Sequence, residues 1–434
     1  MANDEDFIIT SVKGVLALDS RGNPTVKSIV RTKGGVGVGI APSGASKSSK
    51  DAIEKRDGGR SWGGMGVNQA LSNLNTILAP RLIGLDSRQQ ALIDGLIIEI
   101  DGTPNKSRLG GNVTTATSIA IAKAAAATSG VELYEYLGGP GSKVLPTPLM
   151  NVINGGVHAG NDLAFQEFIM IPVGASSFTD AMRMAVEVYK SLKSYLSDKY
   201  GKTSTNVGDE GGYAPPMKEV REALEALRSA IKSAGYELGS DFMLGIDAAS
   251  SEFYDKDRKV YRVDGKEYDP GSLLELYSQL VDEFSIAYLE DPFHEEDLQH
   301  FSEITAKLGN RVLIVGDDLY ATNVKYLQQG IRARATNGAL VKVNQVGTLT
   351  ETFDYIRVAK NAGIRPVISH RSGDTEDPFI ADLAVAVGSG VIKTGAPARS
   401  ERLAKYNRLL EIEASLGPMA TYAGKEPFVT RAEA

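Results

Sequence analysis

The chain contains no cysteine at all, and that absence excludes disulfides, zinc–thiolate sites and a cysteine nucleophile together. It suits a reducing compartment, and a cytoplasmic location is expected. Positive charge is also in short supply. Lys and Arg number 47 against 54 Asp and Glu, a formal net charge of −7, and nucleic-acid binding needs the opposite balance concentrated on phosphates. Long apolar runs are missing as well. The most apolar helical stretch, SIAIAKAAAATSG, is Ala-rich and broken by Lys123, so it reads as a packed helix and not a membrane span. The N-terminus, MANDEDFIIT, is acidic where a secretory signal needs a positive segment, so neither export by that route nor membrane insertion is expected.

What remains is an ordinary globular composition, 42% hydrophobic and 23% charged. At 434 residues the chain exceeds one small core and fits two domains, or a barrel with an extra domain. Residues 7 to 41 carry short Val- and Ile-rich runs interrupted at Gly22-Asn23-Pro24 and Gly34-Gly35, the pattern of a small antiparallel meander. Helical periodicity follows: VNQALSNLNTIL places Val67, Leu71, Leu74 and Leu78 on one face, and further helices are predicted near 87 to 98 and 113 to 128. Gly138-Gly139-Pro140-Gly141 marks a break. A boundary near 140 is expected, with an α+β domain over 1–140 and a second domain over 141–434.

In the second part, six apolar runs each end on a polar functional group: FMLGID on Asp247, IAYLE on Glu290, VLIVGD on Asp317, ALVK on Lys342, PVISH on His370 and GVIK on Lys393. The steps between these residues are 43, 27, 25, 28 and 23, and four of the five match one strand–helix unit; the first step contains an insertion. Amphipathic stretches such as SLLELYSQLVDEF lie between them as crossover helices. Two earlier runs, PLMNVI and EFIMIPV, precede predicted helices at about 178 to 199 and 217 to 234 and bring the strand total to eight. Eight strands with alternating helices predict a closed α/β barrel of the TIM type, whose active sites collect at the C-terminal strand ends.

Asp247, Glu290 and Asp317 therefore face one cavity, and clustered carboxylates require a cation. Oxygen ligands without thiols favour Mg²⁺ first, then Mn²⁺, with zinc behind them. The neighbouring Asp291, Glu295, Glu296 and Asp297 read as a turn and the first turn of a helix, where negative charge suits the dipole. Lys342 and Lys393 inside the barrel are expected to lower each other's pKa, and a neutral lysine is a base. Arg371 and Ser372 beside His370 in SHRSG offer a guanidinium fork and a hydroxyl for a phosphate. Glu210 in NVGDEGGYAP and Glu167 in QEF, if adjacent, would leave one of the pair protonated as a general acid.

These motifs, with DSRGNPTV (19–26), NVINGGVHAGN (151–161), LEDPFHEED, VGDDLYATN (315–323), KVNQVGTL (342–349), SHRSGDTED (369–377) and IKTGAPARSERLAKYN (392–407), closely resemble the enolase family over essentially the whole chain. The resemblance implies an α+β capping domain followed by a modified ββαα(βα)6 barrel, a homodimer or larger assembly, and Mg²⁺-dependent dehydration of 2-phospho-D-glycerate to phosphoenolpyruvate in glycolysis and gluconeogenesis. By motif position it implies that Asp247, Glu290 and Asp317 hold the tighter of two Mg²⁺ ions, and that Ser46 contacts a second, substrate-dependent one. It likewise implies Lys342 as the base at C2 and Glu210 as the acid at the C3 hydroxyl, with Glu167, His158 and Gln166 around the leaving group. Arg371 and Ser372 match the phosphate contacts, and His370 and Lys393 complete the substrate shell.

Four positions depart from the family pattern. Lys47 and Ser48 stand where its mobile loop usually reads Thr-Gly, with Lys47 expected to point to solvent; Asp374 and Tyr213 replace a Glu and a Phe, with small effects expected. The rival readings are another enolate-forming acid dehydratase or racemase on a related barrel, against which Arg371, Ser372 and the Ser46 loop stand, and a noncatalytic surface-binding protein, against which the complete set of motif residues stands.

Overall fold

The computed structural model describes residues 3–44, 48–156 and 159–428. The chain opens with an antiparallel meander, β1 (Ile9–Leu18), β2 (Pro24–Thr32) and β3 (Val36–Ile40), hydrogen-bonded in that order. The β1–β2 turn is set by its own side chain: the Asp19 carboxylate accepts from the backbone N–H groups of Arg21 and Asn23, and Gly22 supplies the left-handed residue between them (φ 76°). The helical run over Val67 to Leu78 extends to Leu82 in three abutting pieces, Asn68–Ser72, Asn73–Leu78 and Ala79–Leu82, the middle one π-helical. Two longer helices follow, α1 (Gln90–Asp101) and α2 (Gly111–Ser129).

Helix α2 is buried on nearly every side, which explains its Ala- and Thr-rich sequence: it lies directly on the meander, and small side chains allow that approach. A Cβ at Gly37 would stand 2.0 Å from the Ala120 carbonyl oxygen, and one at Gly39 2.2 Å from that of Ala116, so the VGVGI strand admits only glycine at both places. Val26, Val30, Leu74, Leu78, Ile93, Ile97 and Ile121 fill the core between sheet and helices.

The remainder forms a closed barrel of eight strands: β4 (Thr147–Asn154), β5 (Glu167–Ile171), β6 (Met243–Asp247), β7 (Ile286–Glu290), β8 (Leu313–Gly316), β9 (Gly338–Val341), β10 (Arg365–Ser369) and β11 (Val391–Lys393). Its helices are α3 (Phe178–Tyr200), α4 (Val220–Ser233), α5 (Pro270–Phe284), α6 (Leu298–Leu308), α7 (Val324–Ala333), α8 (Leu349–Asn361), α9 (Phe379–Ala386) and α10 (Ser400–Leu416). The order is two strands, two helices, then six strand–helix units, the arrangement the run order predicts. The long first step between strand ends holds a three-stranded antiparallel insertion, Tyr254–Asp255, Val260–Val263 and Lys266–Tyr268. Every strand contributes to the apolar barrel interior, including Leu149, Ile169, Tyr288, Val315, Leu340, Val367 and Val391.

Strand β5 runs antiparallel to both β4 and β6, while the other contacts around the barrel are parallel. That single reversal has a chemical consequence. The first residue of β5, Glu167, sits opposite the last residue of β6, Asp247, which in turn sits opposite Glu290 at the end of β7. Three carboxylates on three adjacent strands thus share one level at the barrel mouth.

The N-terminal segment closes over that mouth through specific polar contacts. Ser43 and Gly373 exchange backbone hydrogen bonds at 2.8 Å in each direction, and Ile40 N–H donates to Asp377 at 3.1 Å. Buried Asp94 accepts from the Thr350 N–H (2.9 Å) and hydroxyl (2.7 Å) in the first turn of α8. No helix among the described residues is long and apolar enough to cross a membrane.

Candidate active site

The strand-end carboxylates are gathered around one ammonium group. Lys393 Nζ lies 2.8 Å from Asp247 Oδ2, 2.8 Å from Glu290 Oε2 and 3.2 Å from Glu167 Oε2, all four side chains being buried. The Tyr288 hydroxyl also donates to Glu290 Oε2, whereas Glu290 Oε1 is buried with no hydrogen-bond partner. Burial, and then the nearby Asp247 charge, push the Glu290 carboxyl up to about 8. One lysine serves three buried carboxyl groups and Glu290 Oε1 has no partner, a crowd of oxygens that suits a hard divalent cation able to hold them in their ionised form.

Asp317 adjoins this set from the end of β8. Lys342, one residue past β9, donates to Asp317 Oδ2, and Gln345 Nε2 donates to Asp317 Oδ1 at 3.1 Å. Gln345 is oriented by the Thr322 hydroxyl (2.7 Å), which itself accepts from the Lys342 backbone N–H at 2.9 Å. Lys393 does lower Lys342 as expected, but the expectation of a net-depressed, neutral lysine requires correction. Burial does lower Lys342, and Arg371 and Lys393 add to that, but Asp317 and Glu290 outweigh them, and Lys342 is raised above its ordinary value. Lys393 is raised further, because Asp247, Glu167 and Glu290 overcome its burial.

Asp291 is a second correction. It is neither a solvated turn residue nor part of a helix: it is buried at the end of β7 with φ 42°, and its carboxylate accepts from the backbone N–H groups of Asp317 (2.9 Å) and Asp318 (3.0 Å). It thereby fixes the turn that presents Asp317. Asp291, Asp317 and Asp318 each offer an oxygen within 4.8 Å of the others, so this trio is also a grouping compatible with a cation. Of the other acids in that stretch, Asp297 does cap α6, accepting from His300 N–H at 3.1 Å.

On the opposite wall, Glu210 Oε2 accepts from Asn151 Nδ2 at 3.0 Å and lies 3.6 Å from His370 Nε2. Glu210 and Glu167 are close enough to couple: burial first, and then the Glu210 charge, push the Glu167 carboxyl well above the usual range. Arg371 Nη1 donates to Asn344 Oδ1 at 3.2 Å, its Nη2 to Asp51 Oδ2 at 3.3 Å, and its backbone N–H to Asp374 at 3.0 Å. Gln166, Glu167, Glu210, Asp247, Asp317, Lys342, His370, Arg371, Ser372 and Lys393 line one solvent-connected cavity, and Glu290 joins it through its 2.8 Å ion pair with Lys393. His158, Ser46 and Lys47 lie outside the described residues. Of the departures, Ser48 donates to Glu295 Oε2 at 3.1 Å, Tyr213 stacks on Tyr189 with ring centroids 4.5 Å apart, and Asp374 is buried against Lys405.

Sequence reasoning misses Asp51, Asn151, Asn344, Gln345 and Arg402. Asn151, Asn344, Gln345 and Arg402 lie inside the motifs, but neutral amides and a helix arginine carry no periodic signal. Asp51 comes from the N-terminal segment, and only the closed arrangement brings it to Arg371.

The same two-part layout appears in comparison with known proteins. Residues 9–137 match the family model described as the enolase N-terminal domain, and residues 142–431 match that described as the enolase C-terminal TIM barrel domain. The chain belongs to the enolase family. It is 58% identical to an enolase of Aeropyrum pernix over 422 residues, covering 97% of each chain. It is 55% identical to an enolase of Pyrococcus furiosus over 417 residues, covering 95% of this chain and 97% of that one. It is 54% identical to an enolase of Methanocaldococcus jannaschii over 423 residues, covering 97% and 98%. In family terms, the barrel supplies the carboxylates and lysines of the cavity, and the capping segment supplies Asp51.

Proposed function

We propose that this enolase-family chain catalyses the reversible, Mg²⁺-dependent dehydration of 2-phospho-D-glycerate to phosphoenolpyruvate. The observation that carries the reading is the meeting, in one cavity, of acids from separate strands with Lys342 on one side and Arg371 on the other. Asp247, Glu290 and Asp317 are assigned to hold one Mg²⁺, a role that the partnerless Glu290 Oε1 supports as a buried oxygen able to ligate a cation. Ser46 is assigned to a second, substrate-dependent Mg²⁺. When bound, such ions supply positive charge that makes a second negative charge on the substrate carboxylate tolerable.

The protein groups then divide the work. Lys342 Nζ takes the C2 proton, which it does only in its neutral form, so its pairing with Asp317 must be relaxed before abstraction. Glu210, held by Asn151, delivers a proton to the departing C3 hydroxyl, because hydroxide itself is a poor leaving group. Glu167, Gln166 and His158 surround that hydroxyl. Arg371 and Ser372 hold the phosphate, with His370 and Lys393 completing the shell. Arg371 beside Ser372 favours a phosphorylated substrate over the unphosphorylated acids of a related dehydratase or racemase, because its planar fork and the neighbouring hydroxyl suit a phosphate. We further infer a division into domains near residue 140, a homodimeric or larger assembly, and a cytoplasmic setting.

An absorbance assay for phosphoenolpyruvate tests the reading. With 2-phosphoglycerate and Mg²⁺ the product accumulates, EDTA abolishes its formation, and added Mg²⁺ restores it. Activity that persists unchanged in EDTA, or no activity with this substrate under any metal condition, would overturn it.

A further inference from the structure

One buried cation in this region makes no contact with the carboxylate cluster and has no part in the chemistry above. Arg402, in the first turn of α10, is fully buried and spreads its guanidinium over two loops of the barrel mouth. Nη1 donates to the Arg371 carbonyl at 2.6 Å and stands 2.6 Å from His370 Nδ1. Nη2 donates to the Ser372 carbonyl at 2.6 Å and to the Asp209 carbonyl at 3.1 Å. The residues so gripped are the immediate neighbours of Glu210 and the phosphate-loop residues themselves.

A guanidinium has donors only and remains protonated in proteins. A 2.6 Å contact from Nη1 therefore obliges His370 Nδ1 to accept, and the single ring proton must sit on Nε2. Nε2 is the nitrogen that faces Glu210, 3.6 Å from Oε2. We infer that Arg402 is a positioning residue that locks His370 into its Nε2–H tautomer and aims that neutral N–H at the Glu210 carboxyl, tying the acid loop to the phosphate loop. This deepens, and rests on, the assignment of Glu210 as the acid.

The charged groups around the ring act in opposite directions. Burial lowers the His370 pKa most; Arg402 and Lys393 reinforce it, Glu210 and Asp374 oppose it, and the ring is held well below its ordinary value. An imidazolium here would pair with Glu210 and favour its ionised form, the form that cannot protonate a leaving group. The neighbouring Arg399 strengthens the same join from a left-handed backbone position (φ 69°), donating to the Gly208 carbonyl at 3.3 Å and the Ser20 carbonyl at 3.1 Å.

The test uses the full chain labelled with ¹⁵N-histidine, in which His370 is one of four histidines and is assigned with the His370→Gln variant. The wild-type spectrum is expected to show a protonated Nε2 and an unprotonated Nδ1 that do not titrate from neutral pH down to the acid limit of folding. In Arg402→Met the ring is expected to titrate within the folded range, and dehydration is expected to fall by at least about tenfold while exchange of the C2 proton persists, as loss of acid function requires. Arg402→Lys, which keeps the charge and one donor, is expected to recover part of the loss. An Nδ1–H tautomer or an imidazolium in the wild-type protein at neutral pH overturns the inference even if the variants fail to fold. Equal loss of exchange and dehydration in folded Arg402→Met overturns it too. Because the spectrum needs no substrate, a failure of the tautomer is distinguishable from a failure of the proposed reaction.

Discussion

Replacement of Lys342 by alanine is expected to stop exchange of the C2 proton of 2-phosphoglycerate with solvent deuterium and to reduce phosphoenolpyruvate formation with it, on the order of 10²–10⁴-fold. The size of the effect follows from what Lys342 alone provides. The other ammonium in the cavity, Lys393, is bound by three carboxylates and raised well above its ordinary pKa, so it does not replace the missing base. Asp317 loses its lysine partner in the variant but retains the Gln345 amide and the turn fixed by Asp291. Substrate and Mg²⁺ binding are therefore expected to survive, and exchange followed by NMR in D₂O separates the chemical defect from a binding defect. Exchange at the wild-type rate in Lys342→Ala would refute the assignment of the base.

Glu210→Gln is expected to produce the complementary phenotype: C2 exchange continues, while net dehydration falls on the order of 10²–10⁴-fold. Glutamine preserves size and can still accept from Asn151 through its carbonyl oxygen, so the loop is expected to hold its place. What it lacks is an acidic proton for the C3 oxygen. The comparison of the two variants reads base and acid separately, since a residue that acts only at the second step leaves the first running. Loss of exchange together with dehydration in Glu210→Gln would contradict the division of roles.

The barrel was legible in the sequence because its repeat is long and regular: apolar runs ending on Asp247, Glu290, Asp317, Lys342, His370 and Lys393 at strand–helix spacing have few other folds available. Their convergence followed from the architecture. The signs of the lysine pKa shifts did not, since Lys342 and Lys393 are each governed by carboxylates on other strands whose distances no spacing rule supplies. Asp291 was misread for a related reason. An acid following a strand is usually solvated or capping, but here the backbone of the Asp317–Asp318 turn folds onto it and takes both its oxygens. The Asp51–Arg371 and Arg402–His370 contacts join segments 320 and 32 residues apart, and nothing local in either segment announces its partner. Helix α2, by contrast, was plain from its Ala-rich run, while the reason Gly37 and Gly39 face it emerges only from the close approach of their backbones.

Two groups of acids compete for the role of metal ligands: Asp247 with Glu290 and Asp317, and Asp291 with Asp317 and Asp318. Asp291 is committed to two backbone N–H groups, whereas Glu290 keeps a buried oxygen without a partner, which favours the first set. Crystals grown with Mn²⁺ in place of Mg²⁺ and measured for anomalous scattering decide between them. The account predicts a strong peak ligated by Asp247, Glu290 and Asp317, with Lys393 displaced from at least one of its carboxylates. A peak held by Asp291 and Asp318 with Asp247 and Glu290 still bound to Lys393, or no peak at the barrel mouth at all, would contradict it.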